Sequence, residues 1–123
     1  MILVDTSIWI DHLRSGNRAL AALLQTDLVC SHDFVIGELA CGSLRNRAEV
    51  LGLLQSLPRL AAATDEETLF FIEKQKLMGR GIGYIDAHLL AATVLRGARL
   101  WTKDRSLKGI AEDSGWAHSA EAH

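Results

Sequence analysis

Short apolar runs alternating with helical segments predict an α/β/α sandwich built on a short, mainly parallel sheet of four or five strands. Three observations carry this reading. Ile2-Leu3-Val4 is apolar with no turn residue, as a strand buried on both faces would be. Similar short runs recur at Asp27 to Cys30, Leu60 to Ala63 and Leu100 to Thr102, with helical patterns between them. Tyr84 to Arg96 is almost entirely apolar and long enough for a helix enclosed by other elements.

Taken in order, Ile8 to Leu13 predicts a first helix, capped by Thr6 or Ser7 and ended by Ser15-Gly16-Asn17. Asn17 is placed to cap Arg18 to Gln25, where Leu20, Leu23 and Leu24 make one apolar stripe. After the Asp27 to Cys30 strand, Ser31 or Asp33 can cap a helix from Phe34 to Gly42. A polar, basic break from Ser43 to Arg47 precedes a helix over Ala48 to Leu57, which Pro58 ends. Leu60 to Ala63 is a weaker strand pattern, and Thr64 with Glu67 matches a capping box opening a helix to about Met78. Gly79, Gly81 and Gly83 form a loop leading into the Tyr84 helix, and Gly97 stands where its C-cap belongs. Leu100 to Thr102 is a strand and Ser106 to Asp113 the last helix. With no repeat, low-complexity tract or linker, residues 1–123 read as one domain.

The totals narrow the class. A chain of 123 residues with 49% hydrophobic and 23% charged content is not disordered, and it buries roughly two-thirds of its unfolded surface. Its net charge is −2, so nucleic-acid binding has to come from local groups of the 13 lysines and arginines. Cys30 and Cys41 lie in apolar surroundings without metal-type spacing, which predicts buried free thiols in a reducing cytoplasm. No basic segment precedes the first apolar run, and no run approaches the ~18 residues of a membrane helix, so a cytoplasmic protein with no membrane partner is expected.

Four carboxylates depart from the polar-outside pattern. Asp5 ends the first strand, at the carboxyl edge where open α/β sheets keep their sites. Asp104 follows the Leu100 to Thr102 strand at the equivalent place. Glu38 has Phe34, Val35, Cys41 and Gly42 as same-face neighbours, and Asp86 lies between Ile82, Gly83, Leu89 and Leu90. Taken singly, each has a bland reading as a helix-rim residue, a first-turn charge or an N-cap. Taken together, convergence on one sheet edge forces protonation of some of them unless a cation neutralises the cluster. Oxygen ligands without His or Cys favour Mg2+ or Mn2+ over zinc. That chemistry suits hydrolysis of a phosphoester by an activated water.

Ile2-Leu3-Val4-Asp5-Thr6-Ser7, Val35-Ile36-Gly37-Glu38-Leu39, Ile85-Asp86-Ala87-His88-Leu89-Leu90-Ala91-Ala92 and Thr102-Lys103-Asp104, in that order, resemble the PIN-domain ribonucleases. In length and order they are most like the VapC toxins of bacterial toxin–antitoxin pairs. The resemblance spans almost the whole chain. It implies a PIN-like sandwich and a metal-dependent endoribonuclease that leaves a 5′-phosphate and a 3′-hydroxyl. It also implies a homodimer and a cognate VapB-type antitoxin. By the same likeness Asp5 and Asp86 are the principal metal ligands, and Asp104 binds directly or through water. Glu38 then holds a metal water or acts as base, with Thr6 and Ser7 orienting a carboxylate. Leu107 departs from the pattern, since an aromatic residue often follows the last Asp there.

Arg80, Lys103, Arg105 and Lys108 adjoin the Asp86 and Asp104 loops and are candidates for gripping RNA phosphates, as an ordinary basic rim would also be placed. Arg45 and Arg47 are placed for RNA or a partner. Trp9 and Trp101 read as core, His88 as facing away from Asp86, and His12, His32, His118 and His123 as surface residues. Two further classes fit parts of the pattern. A haloacid dehalogenase-type phosphatase also ends its first strand in Asp, but it needs a second Asp where Ser7 stands. A non-catalytic PIN-like or receiver-like binding module has no need of Glu38 and Asp86 on apolar faces.

Overall fold

A computed structural model describes residues 1–119. Three parallel strands form its sheet, with β1 (Ile2–Val4) in the centre, β2 (Val29–Cys30) on one side and β3 (Arg99–Trp101) on the other. Leu3 lies opposite both Cys30 and Leu100, which fixes the register. All three residues of β1 are buried, so helices cover both faces of the sheet. The helices are α1 (Thr6–Ser15), α2 (Arg18–Leu24), α3 (Asp33–Ala40), α4 (Arg47–Ser56), α5 (Asp65–Gln75), α6 (Tyr84–Leu95) and α7 (Arg105–Asp113).

The sequence predicts four or five strands; three form among the described residues. The Leu60 to Ala63 candidate forms no strand; single bridges beside it and at the opposite edge take the place of further strands. Ser31 N–H donates to Pro58 O and Leu60 N–H to Ser31 O, both at 2.8 Å, pairing Ser31 with Arg59. Pro58 has no N–H to extend that ladder. Beyond it, the Ala61 and Ala62 carbonyls accept from the Arg96 guanidinium, at 3.2 and 3.4 Å, in place of a strand partner. At the opposite edge Leu100 bridges Ala117.

Burial explains the strongest sequence signals. In α6 every residue from Ala87 to Thr93 is buried, because α5 packs on one side and β3 on another. The Thr93 hydroxyl is satisfied by Leu89 O at 2.7 Å. Leu3, Leu89, Leu90 and Leu100 are fully enclosed, and truncating such a leucine to alanine costs about 2–5 kcal/mol. Trp9 and Trp101 are core residues as read from their neighbours. Asn17 caps α2 through Leu20 N–H, and Thr64 with Glu67 completes the capping box of α5.

Several local expectations are corrected. Asp5, not Thr6 or Ser7, caps α1, because the helix starts immediately at the strand end. His32, not Ser31 or Asp33, caps α3: its Nδ1 accepts Phe34 N–H at 3.0 Å. His32 is consequently buried rather than at the surface, and burial holds its ring below the ordinary histidine value. Cys30 is buried, with its thiol pushed up by burial, whereas Cys41 is exposed at the C-cap of α3. His12 and His118 are half-buried, and His123 lies outside the described residues.

Candidate active site

The carboxyl edge of the sheet carries Asp5 and Asp104, and the charges of both, with that of Glu38, reach Asp86. β1 runs into α1 through Asp5, whose Oδ1 accepts Thr6 N–H at 2.8 Å. Its Oδ2 accepts the Thr102 hydroxyl at 2.7 Å and the Ser7 hydroxyl at 3.1 Å. Asp5 is 6% exposed, and these three donors make its burial tolerable. Thr102 Oγ1 also accepts Asp104 N–H at 3.0 Å, while Ser7 Oγ accepts Lys103 N–H at 3.0 Å. The ends of β1 and β3 are therefore laced by two hydroxyls. Thr102 is the residue that sequence reading missed; the available signal was a hydroxyl between a strand and a candidate acid.

Asp104 caps α7, its Oδ2 accepting Leu107 N–H at 3.0 Å. Glu38, on α3, accepts the Thr6 hydroxyl on Oε1 at 3.0 Å, which ties α3 to the start of α1. Asp86 sits in the first turn of α6, and its Oδ2 accepts Gly83 N–H at 3.3 Å. Its carboxyl lies above the usual carboxylate range, because burial penalises its charge against the opposing pull of the Gly83 amide. The charges of Asp5, Asp104 and Glu38 push it up further. Residues 5, 38, 86 and 104 thus share one electrostatic environment despite their separation along the chain.

One close backbone approach helps to assemble this region. Gly81 has φ +83°, and a Cβ there would lie 2.9 Å from Ser106 Oγ. Only glycine lets the loop before α6 lie so near the first turn of α7. The expectation of apolar surroundings holds unevenly: Asp5 is buried and Asp86 half-buried, but Glu38 and Asp104 are exposed. Arg80, Lys103 and Arg105 are exposed. Lys103 Nζ is paired with Asp11 at 3.3 Å, whereas Arg47 turns back onto the Ala40 and Gly42 carbonyls at the end of α3. His88 faces away from the acids, as read, and is bonded to Thr68 and Asp65.

The donor set is oxygen only, which fits a hard cation such as Mg2+ or Mn2+. Burial raises Asp86 most, and the repulsion from Asp5, Asp104 and Glu38 that adds to it is the kind that such a cation relieves. Among the described residues no three Asp, Glu, His or Cys side chains are grouped closely enough to hold such an ion. Each acid but Asp5 keeps one oxygen free of hydrogen bonds from the described residues: Glu38 Oε2, Asp86 Oδ1 and Asp104 Oδ1. Beside the site, a groove of about 660 Å³ is lined by Ile10, Leu13 and Arg14 of α1, Leu39 of α3 and Arg45 and Val50 around α4. It reaches the acids only at Glu38.

The sequence matches the PIN domain over residues 2–113. The chain belongs to the PIN domain family. Ribonuclease VapC32 of Mycobacterium tuberculosis, in strains CDC 1551 / Oshkosh and H37Rv, is 46% identical over 122 residues, covering 98% of this chain and 98% of the relative. Two solved PIN-like neighbours share the fold. PAE2754 from Pyrobaculum aerophilum superposes with a TM-score of 0.62 at 20% identity, over 98% of this chain and 89% of that one. FitAcB from Neisseria gonorrhoeae gives 0.63 at 20% identity, over 91% and 94%. The sandwich expected from the sequence is thus a PIN domain with a three-stranded sheet.

Proposed function

We propose that this PIN domain is a metal-dependent endoribonuclease, the toxin component of a type II toxin–antitoxin pair of the VapC kind. The observation that carries the reading is the acidic environment of Asp86: burial raises its carboxyl, and the charges of Asp5, Asp104 and Glu38 raise it further. Identity of 46% to a ribonuclease over 98% of both chains supports RNA as the substrate.

Asp5 and Asp86 would hold the cation, Mg2+ or Mn2+, and Asp104 would contribute to the same site. When bound, that cation lowers the pKa of water and neutralises phosphate charge. The chain's own part is positional. Thr102, Ser7 and the Thr6 amide hold Asp5 in one orientation, and Thr6 Oγ1 holds Glu38 beside it. Glu38 Oε2 is free to take a proton from the attacking water. Arg80, exposed in the loop before α6, and Arg105, exposed at the start of α7, meet the phosphates flanking the scissile bond. Lys103 serves less directly, because Asp11 already engages it.

The partner is a VapB-type antitoxin, and the groove ending at Glu38 is the surface within reach of the acids. Its exposed Ile10 and Leu13 offer apolar seats, and Arg14 and Arg45 suit an acidic flank. The family likeness extends the proposal to a cytoplasmic homodimer, which sedimentation tests. The deciding experiment is sequencing of RNA ends produced by the purified protein with Mg2+, with Mn2+ and with EDTA. New 5′-phosphate and 3′-hydroxyl ends are expected only with metal, and none from Asp86→Asn. Chelator-insensitive cleavage, or undiminished cleavage by both Asp5→Asn and Asp86→Asn, rejects the assignment.

A further inference from the structure

Behind the acids, on the far side of α6, lies a cluster that the proposed chemistry does not use. Asp86 is in the first turn of that helix, and the N-cap there is Gly83, which has no side chain to anchor the turn. The turn's own tether is the Asp86 carboxylate on Gly83 N–H, at 3.3 Å. At 3.3 Å that bond is a weak anchor, so contacts from other elements bear on where the turn sits.

Tyr84 and His88, one turn apart on the same face, flank Asp86 in sequence and project about 160° away from it around the helix. Both donate to one oxygen of α5: Tyr84 hydroxyl to Asp65 Oδ1 at 2.8 Å and His88 Nε2–H to the same atom at 2.9 Å. These two bonds hold the Asp65 carboxyl below the usual range, so it stays anionic, and its place in the first turn of α5 suits that charge. His88 is 2% exposed, and its Nδ1 lies 3.1 Å from Thr68 Oγ1 on α5. The His88 ring meets Tyr84 edge-on at 4.6 Å and Phe34 edge-on at 4.9 Å. Phe34 belongs to α3, and Glu38 follows it by one turn on the same face. One imidazole on the helix that carries Asp86 therefore touches the helix that carries Glu38 and is bonded to α5, which packs against α6.

We propose that His88, gripped by Asp65 and Thr68 on α5 and seated against Phe34 on α3, is a positioning residue that sets the separation of the Asp86 and Glu38 carboxylates. The inference rests on the reading of those two acids as the reactive pair. Asp65 is the handle on which to test it, because its side chain is 80% exposed and its removal leaves no buried hole, unlike that of His88.

In the full chain, Asp65→Ala, Asp65→Asn and Tyr84→Phe are compared with the unaltered protein and with Asp86→Asn. Amide hydrogen exchange of residues 83–88 in EDTA, Mn2+ binding by electron paramagnetic resonance, and kcat and KM for RNA are measured. Loss of a group that orients a metal-site residue typically lowers metal affinity or activity 10- to 100-fold. Asp65→Ala is expected to speed exchange at 83–88, weaken Mn2+ binding about 10-fold and lower kcat about 10-fold, with KM unchanged. Asp65→Asn, which keeps an acceptor for His88, is expected to recover most of each loss, with Tyr84→Phe intermediate. Asp65→Ala matching the unaltered protein in exchange and Mn2+ binding overturns the proposal, as does a lowered Tm with exchange at 83–88 and kcat unmoved. Full activity of Asp86→Asn overturns instead the reading of the site, and the exchange measurement still decides whether the brace exists.

Discussion

Asp5 is held by donors on both sides: the Thr6 amide on one oxygen, Thr102 and Ser7 hydroxyls on the other. Thr102 also receives Asp104 N–H, so a single hydroxyl orients one acid and the backbone of another. Thr102→Val keeps the shape and removes both bonds. RNA cleavage by this variant is expected to fall about 10-fold or more, the usual effect of losing such an orienting partner; initial rates at saturating Mn2+ measure it. Asp86 makes a different prediction. Its native carboxyl lies above its unfolded value, so between the two values the native state holds the proton more tightly than the unfolded state. Metal-free stability from this group is therefore present at low pH and lost as pH rises from about 3.9 through the raised value. Asp86→Asn removes that loss. Its Tm advantage in EDTA should be small at about pH 4 and grow toward about pH 7; an advantage that shrinks as pH rises contradicts the cause assigned here.

Between elements, the approach of the Gly81 loop to α7 sets where Asp86 lies relative to Asp104. A methyl group at Gly81 meets both a left-handed backbone and Ser106 Oγ at 2.9 Å. Gly81→Ala is expected to lower stability by about 1–2 kcal/mol and to reduce kcat, because the left-handed backbone is strained and either Ser106 or the loop has to give way. Urea unfolding and cleavage rates check both, and an unchanged kcat means that the loop position does not matter to the acids. The sequence identified these glycines as a loop, which follows from spacing alone. Contact with Ser106 was beyond it, since the partner is distant along the chain and an exposed serine in a first turn carries no distinguishing pattern. His32 shows the same limit. Polar type suggested a surface residue, but its Nδ1 is spent on the α3 cap and the rest of the ring is enclosed.

Across the whole molecule, a net charge of −2 leaves RNA binding to a few exposed cations. For a single strand, each phosphate contact contributes about −0.7 to the slope of log affinity against log salt. Arg80→Ala and Arg105→Ala are each expected to reduce the slope's magnitude by about 0.7. Lys103→Ala should do less, because Asp11 already neutralises Lys103. Fluorescence titration of the Asp86→Asn protein with a labelled RNA over a salt series measures this, and equal effects of all three variants remove the special standing of Lys103. Ile10→Asp with Leu13→Asp should abolish capture of the antitoxin while leaving cleavage intact; antitoxin inhibition that survives the pair moves the partner off this groove.

The chain by itself determined the alternation of apolar strands with helices and the two sequence-local caps at Asn17 and Thr64, and it singled out Asp5 and Asp86 as acids departing from a polar surface. Each is visible because its cause lies within a few residues, in periodicity, spacing or a side chain reaching back to its own helix. Tertiary structure alone decided that three strands form the sheet among the described residues, that Thr102 serves both Asp5 and Asp104, and that Phe34, Asp65 and His88 meet behind the acids. Those outcomes depend on edges and side chains up to 97 residues apart along the chain, and only packing brings such groups within the few ångströms at which hydrogen bonds and charges act.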